Sequence, residues 1–184
     1  MPAAKDTVMP TSAISCVPWR ATAALVAALL SALSLAPARA DSARMPAAVP
    51  KAYMQECGAC HIAYPPGLLP ARSWQRLMAG LDAHFGSDAA LDPDTAQPLS
   101  QWLQANAATS RKRRTEPPQD RITRADWFVR EHRRIDPAVW SHPGVKSAAN
   151  CAACHPGAER GDFDDDDLRT PPGLDAHATR HWRD

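Results

Sequence analysis

An all-α protein is the fold class this sequence predicts. Beyond residue 40, neither half of the chain carries the polar–apolar alternation of a half-buried strand, and apolar residues recur instead at steps of three and four. The pentapeptide Cys-x-x-Cys-His occurs twice, as Cys57-Gly58-Ala59-Cys60-His61 and as Cys151-Ala152-Ala153-Cys154-His155. Each copy has the form of a covalent c-type haem attachment site. Two thiols three residues apart can each form a thioether to a haem vinyl group, and the adjacent imidazole can reach the iron from the proximal side.

Zinc is the rival occupant of paired Cys-x-x-Cys motifs. Zinc ribbons, however, separate their pairs by roughly 15 to 20 residues, and here Cys57 and Cys151 are 94 positions apart. A thioredoxin-like dithiol would need a βαβ context that neither copy has. Two haem c groups, with their iron, are the expected cofactors.

Residues 1–40 have the layout of an export signal. Lys5 and Arg20 precede an apolar run from Ala21 to Ala36, and Ala38-Arg39-Ala40 supplies small residues for cleavage after Ala40. The run is 16 residues long, short of the roughly 20 that a spanning helix needs. A periplasmic protein with no membrane span in its mature chain is expected, since c-type attachment takes place outside the bacterial cytoplasm. Removing the signal also removes Cys16, so all four remaining cysteines belong to the two motifs. The same cleavage takes away Lys5, Arg20, Arg39 and Asp6, leaving 18 basic and 19 acidic residues. That balance argues against nucleic acid as a partner.

The mature chain then divides into a first haem-binding half (41–110), a linker (111–120), a second haem-binding half (121–163) and an acidic polar tail (164–184). In the first half, Trp74, Leu77, Met78, Leu81, His84 and Phe85 form one stripe, which predicts a helix from Ala71 to Phe85 stopped by Gly86. Asp92-Pro93 opens a second helix to about Ala108, with Pro98 expected to kink or delay it. The linker, with its run Arg111-Lys112-Arg113-Arg114 and Pro117-Pro118, is expected to be exposed. In the second half, Ile122, Ala125, Phe128, Val129, His132 and Ile135 predict a helix from Ile122 to Ile135. A short helix is expected to carry Ser147 to His155. The tail, with Asp164 to Asp167 in a row, is expected to be flexible.

His61 and His155 leave one axial position open on each iron, and its occupant separates an electron carrier from an enzyme or gas binder. His84 and His132 are the candidates, because both lie on apolar helical stripes against which a large apolar cofactor would sit. His84 follows His61 by 23 residues and His132 precedes His155 by 23. A pairing of His61 with His84 and of His155 with His132 is expected, although spacing leaves crossed ligation open. His142, in the turn-like Trp140-Ser141-His142-Pro143-Gly144, is the runner-up for the second haem. The alternative function is a dihaem enzyme, peroxidase-like or nitrogen-oxide reducing, or a gas-binding protein, with one axial site open.

The stretch Tyr53 to Pro70, the segment Trp74 to Gly86 ending in His84-Phe85-Gly86, and Ala148 to His155 followed by Gly161-Asp162-Phe163 resemble the signatures of the small bacterial dihaem cytochromes c. The resemblance spans about Val49 to Phe163. It implies a small, helical, cytochrome c-like protein with two bis-histidine, low-spin haems that passes electrons in the periplasm and is not an enzyme. It also implies redox partners such as a high-spin c-type haem protein or a membrane b-type cytochrome. Glu131-His132 looks like the family's element too, which favours His132 over His142. The acidic tail departs from the family pattern.

Overall fold

The computed structural model describes residues 43–183. The expected export signal, residues 1–40 with Cys16, lies outside the described residues. Among those described there is no strand; one isolated antiparallel bridge pairs His84 with Ser87. The α-helices are α1 (Ala71–Ala79), α2 (Pro93–Ala105), α3 (Asp126–Glu131), α4 (Pro137–Trp140) and α5 (Ala176–Thr179), joined by short 3₁₀ turns. A π-helical turn, Tyr53–Cys57, leads into the first Cys-x-x-Cys-His segment. No helix among the described residues is long and apolar enough to cross a membrane.

The core lies in the first half, where α1 packs on α2. Tyr53, Leu69, Trp74, Leu99 and Leu103 form its buried centre. Asp92 caps α2 by accepting the Thr95 N–H at 2.9 Å, and Pro93 occupies the first turn, where no amide is needed. Pro98, where a kink or delay was expected, does not interrupt α2, which runs to Ala105 with Pro98 inside it, while Leu99 and Leu103 bury fully against α1. Tertiary packing outweighs the hydrogen bond that proline removes. Loops close over this pair through Trp74 Nε1 donating to the Pro66 carbonyl at 2.7 Å and Trp102 Nε1 to that of Ala48 at 3.1 Å.

Three helices are shorter than periodicity predicts. α1 ends at Ala79, because Gly80 leaves helical geometry (φ −126°, ψ 36°) and the chain re-forms as a 3₁₀ turn at Leu81–Ala83. His84 and Phe85 therefore sit on a turn, and Phe85 adopts φ 52°. The expected helix from Ile122 to Ile135 is a 3₁₀ turn (Ile122–Arg124), an extended Ala125 and then α3. The break rotates the stripe, so Phe128 is buried and Val129 is 57% exposed. Ser147 to His155 keeps only a 3₁₀ turn at Cys151–Ala153. Conversely, α4 was not anticipated, although Asp136 caps it on the Ala138 N–H at 2.8 Å with Pro137 in its first turn, the device that opens α2.

The linker and tail are both held. Arg76 of α1 pairs with Glu116 at 2.8 Å and with Asp120 at 2.6 Å. Arg113 places its guanidinium 5.0 Å from the centre of the Trp127 ring. In the tail, the Arg169 N–H donates to the Cys154 carbonyl at 2.9 Å, its Nε to that of Ala153 at 3.2 Å and its terminal nitrogen to that of Ala152. His181 Nε2 donates to the Arg134 carbonyl at 3.1 Å.

Candidate haem sites

The first Cys-x-x-Cys-His segment begins where the π-helical turn ends. Gly58 follows because nothing larger fits: a Cβ there would lie 2.3 Å from the Met54 carbonyl oxygen. Such π turns recur at functional sites, where the extra residue re-aims the chain. Cys57 is half-buried, while Cys60 and His61 are exposed. His61 Nδ1 lies 2.7 Å from the Ile62 carbonyl. A carbonyl only accepts, so Nδ1 carries the proton and Nε2 keeps its lone pair, the tautomer a metal ligand requires.

Facing it is His84, whose ring centre lies 6.2 Å from that of His61. Burial, then the charge of His61, then that of Arg121 push the His84 imidazole below its usual range, keeping it neutral. Its Nδ1 is buried with no hydrogen-bond partner among the described residues, costly for a core histidine and expected at a site built around a further group. Tyr64 stacks on His61, with centroids 4.8 Å apart and planes at 28°. On the other side, the Arg121 guanidinium lies 4.1 Å from the centre of the Phe85 ring, beside His84.

The second segment is wound tighter. The His155 N–H donates to the Cys151 carbonyl at 2.9 Å, closing the turn that carries both thiols and the imidazole. His132, just past the end of α3, faces His155 with ring centres again 6.2 Å apart. Its Nδ1–H donates to the Phe128 carbonyl at 2.9 Å, so its Nε2 is also free. Burial lowers the pKa of both rings, and for His155 the facing His132 adds to the effect. Phe128 stacks on His132 at 4.0 Å, Trp140 lies 5.8 Å away, and Phe163 meets His155 edge-on at 5.7 Å. These groups and Trp182 of the tail wall a cavity of about 350 Å³ that also reaches Cys151 and Cys154.

His142 does not join this cavity. Its Nδ1 accepts the Gly144 N–H at 3.1 Å, and its ring lies against Gly173, so it stabilises a turn. Burial raises the Cys57 and Cys151 thiols to about 11 and the Cys154 thiol upward as well. Thiols held protonated by burial are poorer disulfide-exchange nucleophiles, which disfavours dithiol chemistry at the second motif.

The residues fit haem. In each pair two imidazoles face one another with ring centres 6.2 Å apart, and such facing nitrogen donors could hold a haem iron between them. Both pairs show that separation, each beside its own Cys-x-x-Cys. Residues 53–163, which contain both motifs, match the family described as dihaem cytochrome c. The chain belongs to that family. Two covalently bound haem c groups with iron are therefore its cofactors. This dihaem cytochrome is similar to DHC from Rhodobacter sphaeroides, with 45% identity over 63% of this chain and 98% of that one and a TM-score of 0.55. It is also similar to the dihaem cytochrome c of Shewanella baltica OS155, with 36% identity over 68% of this chain and 97% of that one and a TM-score of 0.59. No curated protein matches it. Sequence reasoning missed Tyr64, Trp140 and Trp182 at these sites. Trp140 could have been found from the Asp136-Pro137 start signal; no spacing rule pointed to the other two.

Proposed function

We propose that this dihaem cytochrome is a periplasmic electron carrier, exported by the signal in residues 1–40, and that both irons are closed by two histidines. Cys57 and Cys60 would anchor the first haem and Cys151 and Cys154 the second. His61 with His84, and His155 with His132, would supply the axial ligands. The observation that carries the proposal is the repeated 6.2 Å ring separation. Crossed ligation gains no support, because each pair is local to one motif.

Bound haem supplies an iron that cycles between ferric and ferrous. The chain decides everything else. His61 with His84 and His155 with His132 would hold the two irons and would leave no position for oxygen, peroxide or another substrate. Imidazole, unlike thioether, favours the ferric state, which sets low potentials. Phe128, Trp140 and Phe163 give the second site apolar walls. Glu131, beside His132, pairs with Arg130 at 3.2 Å, and Asp165 also lines the second cavity. Redox partners of the kind the family resemblance implies, a high-spin c-type haem protein or a membrane b-type cytochrome, would dock briefly over the exposed first site.

Absorption spectra of the ferric and ferrous holoprotein, with and without carbon monoxide, test the ligation. Two low-spin haems that ignore the gas are expected. His84→Ala and His132→Ala should each make one haem high-spin and leave the other unchanged. A high-spin or gas-binding haem in the unmodified protein would overturn the carrier reading in favour of an enzyme or sensor.

A further inference from the structure

Tyr64 connects the two sites. Its ring stacks on His61, with centroids 4.8 Å apart and planes at 28°. Its hydroxyl donates to the Ala149 carbonyl at 2.5 Å, across 85 positions of sequence. Ala149 is two residues before Cys151, and its carbonyl oxygen also lies 3.8 Å from the Cys151 sulfur. Tyr64 is in turn held from behind, since the Tyr53 hydroxyl donates to its carbonyl. A phenol is needed for this arrangement: phenylalanine would stack but not reach the carbonyl, and serine would donate but not stack.

We infer that Tyr64 is the positioning residue that couples the two haem sites electronically, linking the His61 ring to the Cys151 attachment loop through its own ring and hydroxyl. The inference rests on His61 being an axial ligand, as proposed above. Electron tunnelling decays far less steeply through covalent and hydrogen bonds than across a gap. The Tyr64 hydrogen bond replaces such a gap between the two halves with a continuous route of one ring contact, one hydrogen bond and the backbone from Ala149 to Cys151. One electron leaves the ferrous iron of one site and reduces the ferric iron of the other. Tyr64 keeps its proton and is never oxidised, and no bond forms or breaks.

Tyr64→Phe in the holoprotein tests this. Pulsed reduction followed optically reads the inter-haem exchange rate, and the Ala149 carbonyl carbon-13 shift reads the hydrogen bond directly. The expected result is a several-fold slower exchange and a moved Ala149 shift, with both haems still low-spin and both midpoint potentials unchanged. An unchanged exchange rate alongside a moved Ala149 shift overturns the coupling role and leaves the ligation reading intact. A high-spin first haem in the unmodified protein overturns the ligation reading, and the coupling role with it. Should the phenylalanine variant not fold, 3-fluorotyrosine in place of both tyrosines keeps each hydroxyl and strengthens its donation. Exchange at or above the unmodified rate is then expected, and slower exchange overturns the proposal.

Discussion

At the scale of single residues, the two sites depend on groups whose replacement has a defined effect. Gly58 is the sharpest case. A methyl group there would meet the Met54 backbone oxygen at 2.3 Å, and relieving such an overlap by shifting backbone costs about 1–3 kcal/mol. Gly58→Ala should lower the melting temperature and reduce haem occupancy at the first motif while sparing the second, measurable as the haem-to-protein ratio by mass spectrometry. The cysteines and the two adjacent histidines were legible in the sequence because covalent attachment fixes residue type and spacing together. His84 and His132 were legible from their stripes, although for an imperfect reason. Both lie beyond the end of a helix, where a turn swings the imidazole toward its partner. Tyr64 was not legible, since stacking on His61 and reaching Ala149 are properties of the folded chain.

Among the elements, the pairing of α1 with the end of the linker controls how the two halves meet. Hydrogen bonds from Arg76 hold the Asp120 carboxyl below the usual carboxylate range. A group depressed on folding adds stability at pH values above its unfolded pKa of about 3.9, and loses that contribution as pH falls through the lower folded value. The pair is partly exposed, so solvent screening keeps the effect small. The difference in melting temperature between the unmodified protein and Asp120→Asn should be steady above pH 5 and shrink below about pH 4; a difference that grows on acidification would contradict the assignment. The helix start that Asp92-Pro93 marks was read correctly, whereas the same signal at Asp136-Pro137 was passed over. Helix ends were overrun at Gly80 and at Ala125. In both places apolar residues keep their three- and four-residue spacing through a bend, and periodicity alone cannot distinguish that from one long helix.

Over the whole molecule, the buried core lies between α1 and α2, and the second half has little of its own beyond Phe128, Val145 and a few alanines. The aromatic groups there, Trp127, Phe128, Trp140 and Phe163, line the cavity. Chains with this little core need a covalent or metal-bound group to complete it. Protein produced without haem attachment should therefore lose near-ultraviolet circular dichroism and cooperative melting, above all in the second half; a compact apoprotein with a sharp calorimetric transition would contradict this. The all-α class was evident from the three- and four-residue apolar spacing. The docked tail was not, because its anchor is Arg169 bonding to three backbone carbonyls of the second motif, which no composition rule foretells. That anchoring gives the protein an optical reporter of its own. Trp182 lies against the second haem cavity, close enough for its emission to be lost to the porphyrin by energy transfer, so a tail that lets go would announce itself as an increase in tryptophan fluorescence.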